Sequence, residues 1–412
     1  MTRTIAAVLV LACLAGRAAH AQAPPASPTA DPPPTTVDGS RGGVAISSGV
    51  NSLTLGARAQ FRWTVDQKEA FDGDTTGTGV GEEDDALSQF DFTRLRVTLS
   101  GGVYRPWMRY LFQLDFSRTP GESASKIKDA VLEFRPPGRT YRFQMGQFKA
   151  PFGMQQLNSS GRLQFVDRAI TDLKFSPGRE MGVMFGGTVA RRVGYDVGLF
   201  NGSGESARQN NQSQLWAARV TFDPLGPYAL SEGSSDAGAR PIVHLGAAVR
   251  GGKGIRGRTT AGVIQDADNQ QAFALEFAFK SPRVYAAAEH FWMQDEQQNP
   301  VPGPDIGSRG YHAHASYMLV PRTTEVGVLY SRVTADVDAD AAAVAEMRGV
   351  VSYYWQAHSL KLQTDVGQVR YGENVAGLPA RARQGLPLAG TRLVSGEALS
   401  DTQLRMQLTL VF

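Results

Sequence analysis

Basic side chains recur in the first half of the chain at spacings that place them on one side of extended segments. Arg58 and Arg62 lie four residues apart and Arg94 and Arg96 two apart, so each pair shares a face; Arg109 and Arg142 hold polar positions in similar runs. Lys149, Arg162, Arg168, Lys174 and Arg179 then follow along and beside the stretch 150–178. A guanidinium stays charged and presents a planar fork that matches phosphate-like oxygens, so these residues suit steering or holding small anions rather than covalent chemistry. Asp115, Asp129, Glu133, Asp167, Asp172 and Glu180 are interleaved with them. The competing reading is therefore a wall of mixed charges that is simply solvated.

Patterns that would carry catalysis dissolve on inspection. Gly252, Gly254 and Gly257 make G-x-G-x-x-G after a strand, but no helix follows, so the segment reads as a flexible loop. There is no G-x-S-x-G elbow, and no Ser-His-acid or paired-acid constellation can be assembled. His312 and His314 share one strand face and could hold a metal together; with no cysteine or acidic partner nearby in the pattern, they read as a plain polar pair. No enzyme activity, cofactor or metal is expected.

The elements that must position the cations are strands. Leu53, Leu55, Ala57, Ala59, Phe61 and Trp63 alternate with Thr54, Gly56, Arg58, Gln60, Arg62 and Thr64, which gives one greasy and one hydrophilic face. The same alternation runs from Met108 to Ser117, from Ala272 to Lys280 and from Tyr311 to Leu319. Sixteen such segments start near residues 52, 90, 106, 126, 139, 179, 193, 214, 241, 271, 283, 309, 323, 345, 359 and 402. Each is about the ~9 to 11 residues with which a tilted strand crosses a bilayer, and their number is even.

Long connections at 66–89, 150–178, 203–213, 251–270, 296–308, 336–344 and 372–401 alternate with short ones such as Pro136-Pro137-Gly138 and Ala357-His358. Two connections break the rhythm: 119–125 is short for its side and 224–240 is long for a turn. The pattern predicts an all-β fold, an antiparallel transmembrane β-barrel of about 16 strands over residues 50–412. A soluble β-sandwich also alternates, but needs neither the even count nor the loop rhythm.

Residues 1–21 read as a cleaved signal peptide: Arg3, an apolar run from Ile5 to Ala15, and Ala19-His20-Ala21 as the cleavage pattern. Residues 22–49 carry Pro24, Pro25, Pro28, Pro32, Pro33 and Pro34 and read as a periplasmic linker. Loss of the leader removes Arg3, Arg17 and the single cysteine, Cys13, leaving 40 basic against 39 acidic residues. A near-neutral, cysteine-free chain excludes disulfide chemistry and argues against nucleic acid as a partner.

The central third is more specific. Gly146-Gln147-Phe148-Lys149-Ala150-Pro151-Phe152-Gly153, Phe165-Val166-Asp167-Arg168, Pro177-Gly178-Arg179-Glu180-Met181-Gly182, Gly198-Leu199-Phe200-Asn201-Gly202-Ser203-Gly204 and Ala218-Arg219-Val220-Thr221-Phe222-Asp223-Pro224 resemble the phosphate-selective porin O and P family. The likeness extends upstream through Phe112-Gln113-Leu114-Asp115-Phe116 and downstream through Tyr353-Tyr354 to Leu360-Lys361-Leu362-Gln363.

The resemblance implies an outer-membrane porin of a Gram-negative bacterium, a homotrimer whose third external loop folds inward to narrow the lumen. With the short 119–125 counted as the second external connection, 150–178 is the third. On this reading the eleven cations line the pore, and Lys149, Arg168 and Arg179 at the constriction set a preference for small anions such as phosphate. A general non-specific porin and a plugged structural or adhesive barrel are the alternatives. Phe412, the terminal aromatic of the last strand, is expected to address the barrel-assembly machinery; outer-membrane lipid and lipopolysaccharide are the expected surroundings. The acidic cluster Glu82-Glu83-Asp84-Asp85 on the first external loop could bind divalent cations or lipopolysaccharide, with a solvated loop as the plainer reading.

Overall fold

The computed structural model describes residues 35–39, 43–68, 86–117, 126–205, 214–258, 264–299, 304–388, 391 and 393–412. Residues 1–21, read above as a leader and holding Cys13, residues 22–34 and the acidic cluster 82–85 lie outside the described residues.

In chain order the strands are β1 Thr36–Asp38, β2 Val44–Ser48, β3 Asn51–Lys68, β4 Ala86–Val103, β5 Arg105–Asp115, β6 Lys126–Phe134, β7 Tyr141–Lys149, β8 Arg179–Val189 and β9 Val193–Phe200. They continue as β10 Leu215–Phe222, β11 Ile242–Arg258, β12 Ile264–Lys280, β13 Val284–Asn299, β14 Ile306–Val320, β15 Thr324–Thr334, β16 Ala343–Gln356, β17 Leu360–Tyr371 and β18 Leu399–Val411. Each strand from β3 to β18 pairs antiparallel with its chain neighbour, and β18 pairs back onto β3 from Asp401↔Lys68 to Val411↔Arg58. Sixteen strands thus close a ring within the 18-stranded sheet, which removes the exposed edges that an open sheet would carry.

The alternation of the sequence is the alternation of burial. Along β14 every second residue from Ile306 to Met318 is buried, while Arg309, Tyr311, Ala313, Ala315 and Tyr317 between them are exposed. Large apolar side chains such as Phe61, Phe112, Leu199, Phe277, Leu408 and Leu410 stand on the exposed face. Exposed aromatics mark both ends of it: Trp292, Tyr311 and Tyr330 toward the long connections, Tyr317, Tyr353 and Trp355 toward the short turns. Among the described residues, no helix is long and apolar enough to cross a membrane.

Two local devices shape the ladder. In β4 the register steps from Gln60↔Arg94 to Phe61↔Phe92, leaving Thr93 as an extra residue. The bulge lets even-numbered Phe90 and Phe92 share the exposed face with Phe61 while Arg94 and Arg96 take the opposite face. In β7, Gly146 sits at φ 119 with the place of a Cβ only 1.9 Å from the Ala130 carbonyl oxygen, so a side chain there is excluded both by conformation and by space.

Several boundaries differ from the sequence reading. Residues 251–270 are mostly strand rather than a flexible loop: β11 runs to Arg258, β12 begins at Ile264, and Gly252, Gly254 and Gly257 sit in the ladder. The connection at 296–308 shrinks in the same way, because β13 reaches Asn299 and β14 begins at Ile306. Polar and glycine-rich residues hide these extensions, since a strand continuing past the apolar belt no longer alternates. Within the stretch read as a linker, β1 and β2 pair with one another, and β2 pairs with residues 51–55 of β3.

Candidate functional site: a basic cavity beside the 150–178 connection

The connection between β7 and β8 carries α1 (Met154–Leu157), a 3₁₀ turn (Ser160–Arg162) and α2 (Ile170–Phe175). Gly153, at φ 82, lets the chain turn into α1 so that Met154 and Gln155 donate their backbone N–H groups to Glu289 of β13. Lys361 of β17 donates to the Leu163 carbonyl at 2.6 Å, Asp365 of the same strand accepts from Val166 N, and Glu346 of β16 accepts from Ile170 N. Thr171 bonds to His312 of β14, and Arg250 of β11 donates to the Phe175 carbonyl. Phe152, Ile170 and Phe175 are buried against Phe291, Ala248 and Val344, together with Val375, Leu378, Ala382 and Leu386 of the connection after β17.

Asp167 is the most heavily bonded carboxylate of this segment. Arg62 at 2.7 Å, Arg405 at 3.1 Å and Arg94 at 3.3 Å all reach it. Burial alone would raise its pKa, but Arg62, Arg405 and Arg94 outweigh that and hold it below the usual carboxylate range. The acid therefore stays ionised.

The connection between β10 and β11 explains its unexpected length. Residues 231–235 are buried, and Glu232 accepts from Gln155, Asn158 and Gln164 N, while its own N–H donates to the Arg162 carbonyl. Ser234 N donates to Glu325 of β15, and Lys280 of β12 pairs with Asp236. What the sequence suggested was a turn is instead folded against the 150–178 connection.

Beside these insertions a cavity of about 790 Å³ runs along the buried face of β3–β8. Arg58, Arg96, Arg109, Arg135, Lys149 and Arg179 line it, against only Asp129 and Glu133. The six cations are not equivalent. Arg179 is gripped at both ends by Asp129, with two bonds of 2.9 Å; Arg135 pairs with Glu133, and Arg96 with Asp115 at 2.6 Å. Arg58 by contrast donates to the hydroxyls of Ser160 and Ser159 at 2.9 and 2.7 Å, and Lys149 to the carbonyls of Asn158 and Leu157, so neither meets a carboxylate. Arg109 is exposed to the cavity and has no hydrogen-bond or ion-pair partner among the described residues. The cavity thus presents three cations, Arg58, Arg109 and Lys149, that make no ion pair with a carboxylate among the described residues.

The remaining residues of the sequence reading do other work. Arg62 and Arg94 clamp Asp167, and Arg142 pairs with Asp196 at 2.6 Å. Arg168 donates to the carbonyls of Gln155, Gln156 and Asn158, bracing its own loop, and Lys174 donates to the Ala382 carbonyl. Arg162 is exposed, with no side-chain partner among the described residues.

His312 and His314 are buried and bonded to Thr171 and Gln164, and an acid missing from the local pattern lies 3.4 Å from His312: Glu289, supplied by the neighbouring strand. Among the described residues no three histidine, cysteine or acidic side chains are grouped to hold a metal ion. Sequence reasoning missed Arg135, Ser159 and Ser160 at the cavity, and Arg219, Arg250, Lys361 and Arg405 elsewhere. For the last four, the inward parity of β10, β11, β17 and β18 was an available signal.

The family model for phosphate-selective porin O and P matches residues 64–340. No curated protein matches the chain in sequence. Among solved structures, an anion-selective porin from Comamonas acidovorans shares 13% identity with a TM-score of 0.57, covering 88% of this chain and 100% of that one. The outer-membrane channel DcaP of Acinetobacter baumannii is similar at 13% identity and TM-score 0.53, covering 88% of this chain and 97% of that one. OmpT of Vibrio cholerae, in a trimer form, is similar at 10% identity and TM-score 0.52, covering 86% and 99%. At these identities the likeness is one of fold.

Proposed function

The chain belongs to the phosphate-selective porin O and P family, and from that premise we propose that it is a passive outer-membrane channel that prefers small anions, with its permeation path along the β3–β8 wall. The observation that carries this reading is the cavity in which Arg58, Arg109 and Lys149 have no carboxylate partner among the described residues. Fixed charge in a confined passage is screened less than at an open mouth, so these cations concentrate anions where the path is narrowest.

On this reading the 150–178 connection is the constriction, and its bonds to β3, β11, β13, β14, β16 and β17, strands far apart around a closed ring, support a course across the inside of the barrel. Of the expected selectivity residues, Arg179 is gripped by Asp129 and Arg168 lies 3.9 Å from Asp172, so on this reading Lys149, joined by Arg58, carries most of the preference. Phosphate is the anion class suggested by the family description, and the Arg58 fork with the adjacent Lys149 ammonium suits its oxygens. Residues 1–21 would export the chain, Phe412 would address the assembly machinery, and a trimer would match the form in which the similar OmpT was obtained.

Zero-current potential across a potassium chloride gradient tests the reading. The native channel is expected to favour chloride, and R58Q/R109Q/K149Q to lose most of that preference, whereas neutralising the exposed Arg191, Arg240 and Arg322 leaves it intact. Equal shifts in the two triple variants would defeat the placement of the path. Added phosphate should block chloride current in the native channel and not in the first triple variant. A second reading, a barrel with a filled lumen, is favoured by the insertions packed against β11–β18; it requires that bilayers show no ohmic steps.

A further inference from the structure

The exposed face of β15–β17 departs from the rest of the belt. Most strands present large side chains there, but β16 presents Ala343, Ala345 and Gly349 around the one large residue Met347, and the reduced bulk leaves a groove of about 790 Å³ between Val328 on one side and Val366 on the other. That volume lies within the ~300–1,000 Å³ typical of sites for small ligands. The floor is apolar along most of its length.

Its upper end is cationic. Arg332 of β15 and Arg370 of β17 both lie in register with Ala345, one on each side. Strands stand ~4.8 Å apart, so the two arginines leave the backbone about 10 Å from one another across a residue too small to separate their side chains. Both are exposed; Arg370 donates to Gln368, and Arg332 has no partner among the described residues. The acids of the adjoining connection, Asp336, Asp338 and Asp340, pair with neither.

Depth fixes what these cations face. Tyr330 and Tyr311, whose rings lie 6.0 Å apart, are of the kind that settle at a membrane–water boundary, and Arg332 stands two residues further toward the long connections. An arginine pair at headgroup level above an apolar trough complements a phosphate-bearing lipid whose chain lies in the trough. Resting on the outer-membrane reading above, we propose that this groove is a specific site for one molecule of lipopolysaccharide. The acyl chain of its lipid A portion would cover Ala345 and Gly349, and its phosphate groups would be held by Arg332 and Arg370.

The test is native mass spectrometry of the full-length protein, delipidated in detergent and then given diphosphorylated lipid A, phosphatidylglycerol or phosphatidylethanolamine. One tightly retained lipid A is expected, with at least tenfold weaker retention of the two phospholipids. R332Q/R370Q should lose that retention, and A345L/G349L, which fills the trough while keeping both cations, should lose it too. R309Q, an exposed arginine outside the groove, serves as the control and should retain it. Retention that survives both double variants would overturn the site, as would phosphatidylglycerol binding as tightly as lipid A. If the native groove takes no lipid and the double variants instead dissociate an oligomer, the occupant is a second copy of this chain and the proposal fails. Planar-bilayer conductance of the same preparations is read separately, so that failure of the channel reading is not mistaken for failure of the lipid site.

Discussion

The two sides of the barrel are built from the same alternating strands and treat their buried faces differently. Along β14, β16 and β17 nearly every inward residue is sealed, and charges there are consumed in closed sets: Arg405 with Asp365, Arg348 with Glu346, and Arg219 with Glu276 across β10 and β12. Along β3–β7 the inward positions are mostly half-buried, and Arg58, Arg109 and Lys149 form no ion pair with a carboxylate among the described residues. The difference shows that charge type does not fix the role of an inward arginine. What fixes it is whether a carboxylate meets it: facing an acid, arginine is a structural fastener, and facing only hydroxyls, as Arg58 does, it keeps its charge for a solute.

The sharpest way to break this comparison is to attack a fastener. Asp365 accepts two bonds from Arg405, lies near Arg348 and holds Val166 N. D365N removes the charge and leaves cations buried without it, so unfolding in detergent should ease by about 3–5 kcal/mol. Heat-modification midpoints on gels check this, and an unchanged midpoint would mean that the sealed side does not hold the loop.

Next in size is the dissociation of stability from selectivity. R219Q strands Glu276 and is expected to lower the midpoint while leaving the chloride-to-potassium permeability ratio unchanged. R58Q/R109Q/K149Q is expected to do the reverse, with a several-fold fall in the ratio and a midpoint close to native. If both variants move both quantities, the two sides are not functionally distinct.

A smaller effect is expected at Gly146, which sits between the two regimes at the root of the 150–178 connection. G146A forces a side chain into positive φ and against the Ala130 carbonyl, at a cost of about 1–3 kcal/mol. Urea midpoints of the refolded barrel measure it.

The smallest concerns pH. Because the pKa of Asp167 is depressed in the folded chain, its contribution is present above the unfolded value of about 3.9 and is lost only as pH falls through the lower folded value. Conductance should therefore stay flat on acidification from neutrality to about pH 4, and a collapse well above that would show that Asp167 does not anchor the loop.

The ring of strands was legible in the sequence because a strand with one face in an apolar medium must alternate, as Leu53–Trp63 and Tyr311–Leu319 do. Strand ends were less legible: once β11 and β12 pass the apolar belt, Gly252 and Gln270 pair without any periodic signal. The site was half legible. Parity identified Arg58, Arg96 and Arg109 as inward, but nothing local reveals which acid will face an arginine. Arg179 meets Asp129 from β6, and His312 meets Glu289 from β13; both partners are set by ring registers that bring distant residues together. The 223–241 connection did announce itself by its excess length, although only the fold shows that Glu232 reaches the loop.

The junction at β3 has a bearing on how the molecule can be made. Ala57 exchanges backbone bonds with Phe412, and β2 then takes over along β3 from Val44↔Leu55, in line with β18 and running the same way. One strand therefore serves as template for both β2 and β18, laid end to end. Pairing of β18 onto β3 joins residues separated by almost the full polymer, the most entropically remote contact available, and it becomes possible only when the last residues exist. β2, by contrast, is a local hairpin partner and can dock at once. Early docking of β2 covers the lower edge of β3 and leaves a strand-long vacancy of defined length above it, so the final zippering step begins with its register already bounded by Gly43 at one end.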